Sequence, residues 1–128
     1  MIKLIIDAAK DKIFLMFISD DNIQNVEHEN NKLNYEKLSI LINDFLKKNK
    51  FNLKDLSQIY VNRGPGSFAG IRNSLSTVKA YHLTNNTDYY CFSFDDFSNE
   101  GAVKYEDIPN LCEKYKIKKN LINPDYSG

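Results

Sequence analysis

The sequence predicts one α/β domain: a mixed five-stranded sheet, an antiparallel β1-β2-β3 meander plus two parallel strands, with helices on it. Three observations predict it. The first thirty residues hold three strand-like runs joined by short polar turns, the pattern of an antiparallel meander. Two longer segments follow with apolar residues at helical spacing, and each leads into a short strand. Such strand–helix–strand crossovers are right-handed and place both long helices on the same side of the sheet. The chain has 128 residues, enough for a single domain with a sizeable core.

Ile2 to Asp7 is a nearly continuous apolar run, as expected of a strand buried on both faces. Asp11-Lys12 turns the chain into a second strand, Ile13 to Ser19, and Asp20-Asp21-Asn22 turns it again. Ile23 to Glu29 alternates loosely, as in a more exposed strand. Asn34 is the expected cap of a helix over Tyr35 to Lys48, with Leu38, Leu41, Ile42 and Phe45 on its inner stripe. Asn52 to Asp55 predicts one short helical turn, and Ile59 to Asn62 a brief strand. A second helix opens near Ser67, runs to about His82 or Leu83 and stops at Asn85-Asn86, since Asn tolerates the left-handed conformation. Tyr89 to Phe94 is the fifth strand, and Asp95-Asp96 starts a short helix. Beyond Asn99 the pattern weakens. Pro109 predicts the first turn of a helix reaching about Tyr115, and Leu121 to Pro124 a last strand or an ordered tail.

Composition narrows the function classes. With 17 basic and 17 acidic residues the formal charge is zero, which disfavours gripping nucleic acid alone. The opening apolar run is too short for a secretory core or a membrane span, so a cytoplasmic protein without membrane contact is expected. Cys91 and Cys112 lack metal-ligand spacing and read as small core residues with free thiols. The two histidines, His28 and His82, lie on different elements, so neither a metal pair nor a Ser-His-Asp or Cys-His arrangement is expected. No catalytic residue, metal ligand or cofactor is expected.

The most unusual stretch is Arg63-Gly64-Pro65-Gly66-Ser67, which joins a strand to a helix. Glycine allows positive φ and close backbone approach, proline fixes one dihedral, and Ser67 can cap the helix. Two readings stand: a structural turn that aims the helix, or an anion site on free N–H groups at the helix start. The missing Gly-Lys-Ser/Thr ending excludes a P-loop. On the helix, Phe68, Ile71, Leu75, Val78 and His82 form the stripe expected to face the sheet. Gly70, Ser74, Thr77 and Tyr81 form one neighbouring stripe, and Ala69, Asn73, Ser76 and Ala80 another. Small side chains there admit a close helix, either the chain's own first helix or a partner's.

Residues 63–72, Arg-Gly-Pro-Gly-Ser-Phe-Ala-Gly-Ile-Arg, resemble the G-P-G-S-F-T-G-[LI]-R hallmark of the TsaB (YeaZ) family, with Ala69 in place of the usual Thr. Asn73-Ser74 stands where an apolar-Gly pair is common. Ile5-Ile6-Asp7, the helix before Asn52-Leu53-Lys54-Asp55-Leu56, and Cys91 to Asp96 are similar to the family layout, so the likeness covers about residues 2 to 98. The resemblance implies an actin-like/Hsp70-like (ribonuclease H-like) lobe at 1–98. It leaves 99–128 as a short remnant or tail in place of most of the second subdomain. In actin-like folds an Asp at the position of Asp7 helps hold phosphate and metal, but Ala8-Ala9 supplies neither the glycine nor the hydroxyl that usually follows.

The resemblance further implies a non-catalytic scaffold. It would bind TsaD as a heterodimer, with TsaE in a ternary complex, and support transfer of threonylcarbamoyl to N6 of adenosine 37 in tRNA. A homodimer is expected when TsaD is absent, and tRNA is met only through the complex. Pairing through the two long helices puts Tyr35, Leu38, Ala69, Gly70, Arg72, Asn73, Ser74, Ser76, Thr77, Ala80 and Tyr81 at the partner surface. Two alternatives stay open: a self-associating actin-fold module, and a minimal ATP-binding phosphotransferase-like protein.

Overall fold

The structure, a computed structural model, describes residues 2–127. Strands β1 (Ile2–Asp7), β2 (Lys12–Ile18), β3 (Ile23–Glu29), β4 (Leu56–Asn62) and β5 (Asp88–Phe92) form one sheet in the order β3-β2-β1-β4-β5. The β1-β2 and β2-β3 pairs are antiparallel, and β1-β4 and β4-β5 are parallel. The mixed five-stranded sheet expected from the sequence is therefore the one observed.

Alternation along β1 divides the core. Ile2, Leu4 and Ile6 face one side and pack with Leu15 and Phe17 of β2 and Ile59 and Val61 of β4. That side is covered by α2 (Leu38–Lys48) and α3 (Phe68–Asn85), through Leu38, Ile42, Leu46, Ile71, Leu75 and Val78. Ile5 faces the other side with Met16, Tyr60 and Phe92. There the cover is Phe97 together with Ile108, Leu111 and Cys112 of α4 (Ile108–Lys114). Burial on both faces explains why β1 is almost wholly apolar.

Several boundaries differ from expectation. The first helix is broken into α1 (Lys32–Tyr35) and α2, with Glu36 and Lys37 forming a turn between them. Asn31, not Asn34, caps α1, because its side chain accepts the Asn34 N–H at 3.0 Å. The Asn34 side chain instead donates back to the Glu29 carbonyl at 2.8 Å, tying this turn to the end of β3. Strand β4 starts at Leu56, which is buried and pairs with Ile2, and the polar Ser57-Gln58 hides that start in the sequence. Strand β5 ends at Phe92 because Ser93 caps the following 3-10 turn in a capping box with Asp96. Phe68 does not face the sheet. It is 56% exposed against Tyr126, since the first residue of α3 precedes the turn that brings Ile71 inward.

Helix ends follow local rules. Asn86 closes α3 in the left-handed region at φ 56°, as expected. Helices α2 and α4 both end in Schellman motifs. Phe51 N–H donates to Leu46 O and Lys50 N–H to Lys47 O, while Ile117 N–H donates to Cys112 O and Lys116 N–H to Glu113 O. In both motifs a lysine occupies the left-handed position where glycine is usual: Lys50 at φ 68° and Lys116 at φ 54°. The tail after Asn120 is not a strand. It is tied by Asn120 N–H to Tyr89 O, Tyr89 N–H to the Asn120 side chain, and Asp125 N–H to Arg63 O.

Candidate functional site

Parallel strands β1, β4 and β5 end side by side, at Asp7, Asn62 and Phe92-Ser93. The Asp7 carboxylate is fully buried. It accepts the Ala9 N–H at 3.0 Å and the Asn62 side-chain amide at 3.1 Å on Oδ1, and the Tyr105 hydroxyl at 2.6 Å on Oδ2. Lys10 Nζ lies 3.7 Å from Oδ2 and 4.6 Å from the centre of the Phe94 ring. Burial, and after it the bond to Asp7, drives the Tyr105 phenol far above its ordinary range, so it stays a protonated donor. Asp7 is thus occupied on both oxygens by its own chain.

The Gly-Pro-Gly turn lies against this cluster. Asn62 Oδ1 accepts the Gly64 N–H at 2.9 Å, the Gly64-Pro65 peptide is cis, and the Ser67 N–H donates to Ala9 O at 2.8 Å. Gly66 has φ 156° and sits so close to the Ala9 carbonyl that a Cβ would collide with it. The carbonyl of Asp125 presses on Gly64 in the same way. Ser67 caps α3 by accepting the Gly70 N–H at 3.2 Å. Arg63 is committed to Asp96 at 3.2 Å, and its backbone N–H donates to Phe92 O. With carbonyl oxygens crowding both glycines, Arg63 to Ser67 form a turn that aims α3.

On α3 the two small-residue stripes separate. Gly70 is buried beneath the Ala8 carbonyl, with the Asn30 side chain beside it, so a Cβ there has no room. Ser74 is 0% exposed, its hydroxyl donating to Ile71 O, and Tyr81 and Leu38 are buried in the helix-side core. These four positions serve the chain's own packing, which corrects their assignment to a partner surface, because a fully enclosed side chain offers a second molecule no area. Tyr35, Ala69, Asn73 and Thr77 are half-buried, and Arg72, Ser76 and Ala80 are exposed. The open flank of α3 is thus Arg72, Ser76, Lys79 and Ala80, with Phe68 and Leu83 at its two ends exposed by 56% and 71%. Leu33 of α1 and Ile40 of α2, on helices that both touch α3, are exposed by 71% and 56%.

Both cysteines and His82 are packed into the chain's own core or its margin. Burial raises the Cys91 thiol to about 11 and the Cys112 thiol to about 12. His82 is bonded to Thr87 O at 3.0 Å and lies edge-on to Tyr89, as expected of a packed helix-end residue. Among the described residues no cluster of three or more His, Cys, Asp or Glu side chains could hold a metal ion, and no helix is long and apolar enough to cross a membrane.

Sequence reasoning missed Asn62, Tyr105 and Asn30. Asn62 carried a usable signal, a polar residue closing an apolar strand just before the glycine turn. Asn30, which donates to Ala8 O and Lys10 O, lies between the third strand and the first helix in a polar stretch that carries no pattern. Tyr105 had no signal, since it meets Asp7 from 98 positions away.

Known proteins agree with this architecture. "YeaZ from Pseudomonas aeruginosa" superposes with a TM-score of 0.66 at 18% identity, covering 72% of this chain and 43% of its own. RuvC of T. thermophilus, solved with a Holliday junction substrate, superposes at 0.54 and 8% identity over 98% of this chain and 84% of its own. At such identities both show the fold alone, a ribonuclease H-like sheet. The "tRNA threonylcarbamoyladenosine biosynthesis protein TsaB" of Buchnera aphidicola subsp. Baizongia pistaciae (strain Bp) is 34% identical over 68 residues. That match covers 46% of this chain and 31% of the relative, so the chain spans less than a third of the curated protein it matches. The family model described as "TsaD: tRNA N6-adenosine threonylcarbamoyltransferase" matches residues 28–93, more than half of the chain, and the chain belongs to that family.

Proposed function

We propose that the chain is a non-catalytic scaffold subunit that binds TsaD and supports transfer of threonylcarbamoyl to N6 of adenosine 37 in tRNA. The observation that carries this reading is the open flank of α3 beside an occupied strand-end carboxylate. Ser76 and Ala80 offer a low-relief strip to a partner helix beside Arg72 and Lys79, with apolar ends at Phe68 and Leu83. Small side chains permit interaxial distances near the short end of 8–10 Å. Asp7, the residue best placed for phosphate or metal, is held by Ala9, Asn62 and Tyr105. In this reading TsaE joins as a third component, tRNA is met through the complex in the cytoplasm, and the same flank pairs with a second copy when TsaD is absent.

The test is co-purification with TsaD from the same organism, followed by a tRNA modification assay with and without this chain. Modification should depend on the chain. Replacing Ser76 and Ala80 together by Trp, or making Arg72→Glu, should abolish association while leaving the fold intact. Full pairing and modification by the double Trp variant would refute docking through this flank. Ser74→Trp should instead unfold the chain, because that side chain has no free space.

A further inference from the structure

We propose a binding site for a small organic phosphate on the sheet face opposite α2 and α3, at the amino ends of β1, β4 and β5. A cavity of about 400 Å³ opens there between the sheet and α4, within the size range of small-ligand pockets. Lys3, Lys116 and Lys119 line it from three separate segments: β1, the turn that ends α4, and the tail beyond it. Alternation places Lys3 on the same face as Ile5, and its register partner Gln58 lines the cavity too. The Gln58 side-chain oxygen already accepts the Tyr60 hydroxyl at 2.9 Å, which turns the amide's donor end to other partners. Among the described residues Lys3 and Lys116 have no carboxylate within 4.0 Å, while Lys119 lies 3.8 Å from Asp88. Glu113 is the one acid in the lining.

The charge pattern sets the ligand class. The chain is neutral overall, yet residues 114–119 hold four lysines and no acid. One of the four, Lys114, is spent on Glu100 at 2.6 Å. Lys116 and Lys119 bring positive charge to the mouth of the cavity, and the Schellman geometry of α4 fixes Lys116 there. A phosphate monoester suits three ammonium groups and an amide donor. The remaining volume is bounded by Tyr60, Tyr90, Pro109, Cys112 and Ile117, an apolar and aromatic wall that suits an organic substituent on the phosphate. Tyr60 and Tyr90 stack on each other at 5.0 Å and 9°, so this wall is preorganised. The site lies on the opposite face of the sheet from α3 and does not depend on the scaffold reading.

The experiment is a resonance-by-resonance NMR titration of the full chain at constant ionic strength. The probes are inorganic phosphate, phenyl phosphate and a short oligouridylate, with sodium chloride as the control. Phenyl phosphate should give saturable shifts centred on Lys3, Gln58, Tyr90 and Lys116, and bind more tightly than inorganic phosphate. Lys3→Glu and Lys116→Glu should each weaken it about tenfold or more, the loss of one charge-assisted contact. The spectra of both variants report whether they are folded, and Lys118→Glu, outside the cavity lining, should bind as the parent does. Saturation by the oligouridylate alone, lost in Lys116→Glu, would keep the phosphate chemistry and identify its source as a nucleic-acid backbone. Shifts that follow chloride equally, fail to saturate with every probe, or survive both charge reversals would overturn the proposal.

Discussion

The Asp7 carboxylate gathers donors from three regions: Ala9 in the first turn, Asn62 at the end of β4, and Tyr105 beyond β5. An unmatched buried donor costs about 1–3 kcal/mol, so Asp7→Ala, which orphans all three, should lower stability by about 3 kcal/mol or more in urea unfolding. Asp7→Asn should cost less, because its amide oxygen still accepts from Ala9 and Asn62. Tyr81 presents the opposite case. Its hydroxyl is buried without a partner, and burial raises its ionisation to about 12. Tyr81→Phe removes that unsatisfied group and keeps the ring, so stability should rise by about 1 kcal/mol. A fall on that substitution would mean that the hydroxyl does have a partner in solution.

At the scale of elements, α2 and α4 end with lysine in a conformation that disfavours side chains. A non-glycine residue in the left-handed region carries roughly 1 kcal/mol of strain. Lys50→Gly should therefore stabilise the chain by about 0.5–1 kcal/mol, seen as a raised thermal midpoint. Gly70→Ala on α3 should do the reverse, since the Ala8 carbonyl occupies the space its methyl needs. These elements were legible to different degrees. Apolar runs bounded by polar turns located the five strands, and the 3.6 periodicity located both long helices through their buried stripes. The break at Glu36-Lys37 was not legible, because it goes with Asn31 capping α1 and Asn34 donating back to the end of β3, and several neighbouring Asn residues could have played either part. The site divided in the same manner. The glycine turn announced itself locally, whereas the enclosure of Gly70, Ser74 and Tyr81 depends on the β1-β2 turn, α1 and α2 closing over α3, which a local stripe does not encode.

For the whole molecule, residues 94–117 are structural cover for the second sheet face. Ile5, Met16, Tyr60 and Phe92 are roofed by Phe97, Ile108, Leu111 and Cys112, with Tyr105 and Tyr115 packed against them. A chain ending at Ser98 should expose that apolar face, bind hydrophobic dyes and lose its cooperative transition; a sharp melt would show that the roof is dispensable. Alkaline pH tests the same core. Folding holds Cys91 at about 11 and Cys112 at about 12, against an ordinary 9.0, and Tyr81 at about 12 against 10.0. The unfolded chain therefore loses these protons first. Stability should be unaffected by these groups below about pH 9, then fall progressively as pH rises toward 12. Unfolding midpoints in reducing buffer at about pH 8 and pH 11 would show the drop.

Asn120 has one more effect, through its two-sided grip on Tyr89. By occupying the outer rim of β5 it withholds that rim from any incoming extended peptide, leaving β3 as the sheet's sole uncovered border among the described residues. Lateral growth of the sheet is therefore one-directional, and Glu27, His28 and Glu29 stand at that border as polar gatekeepers against it.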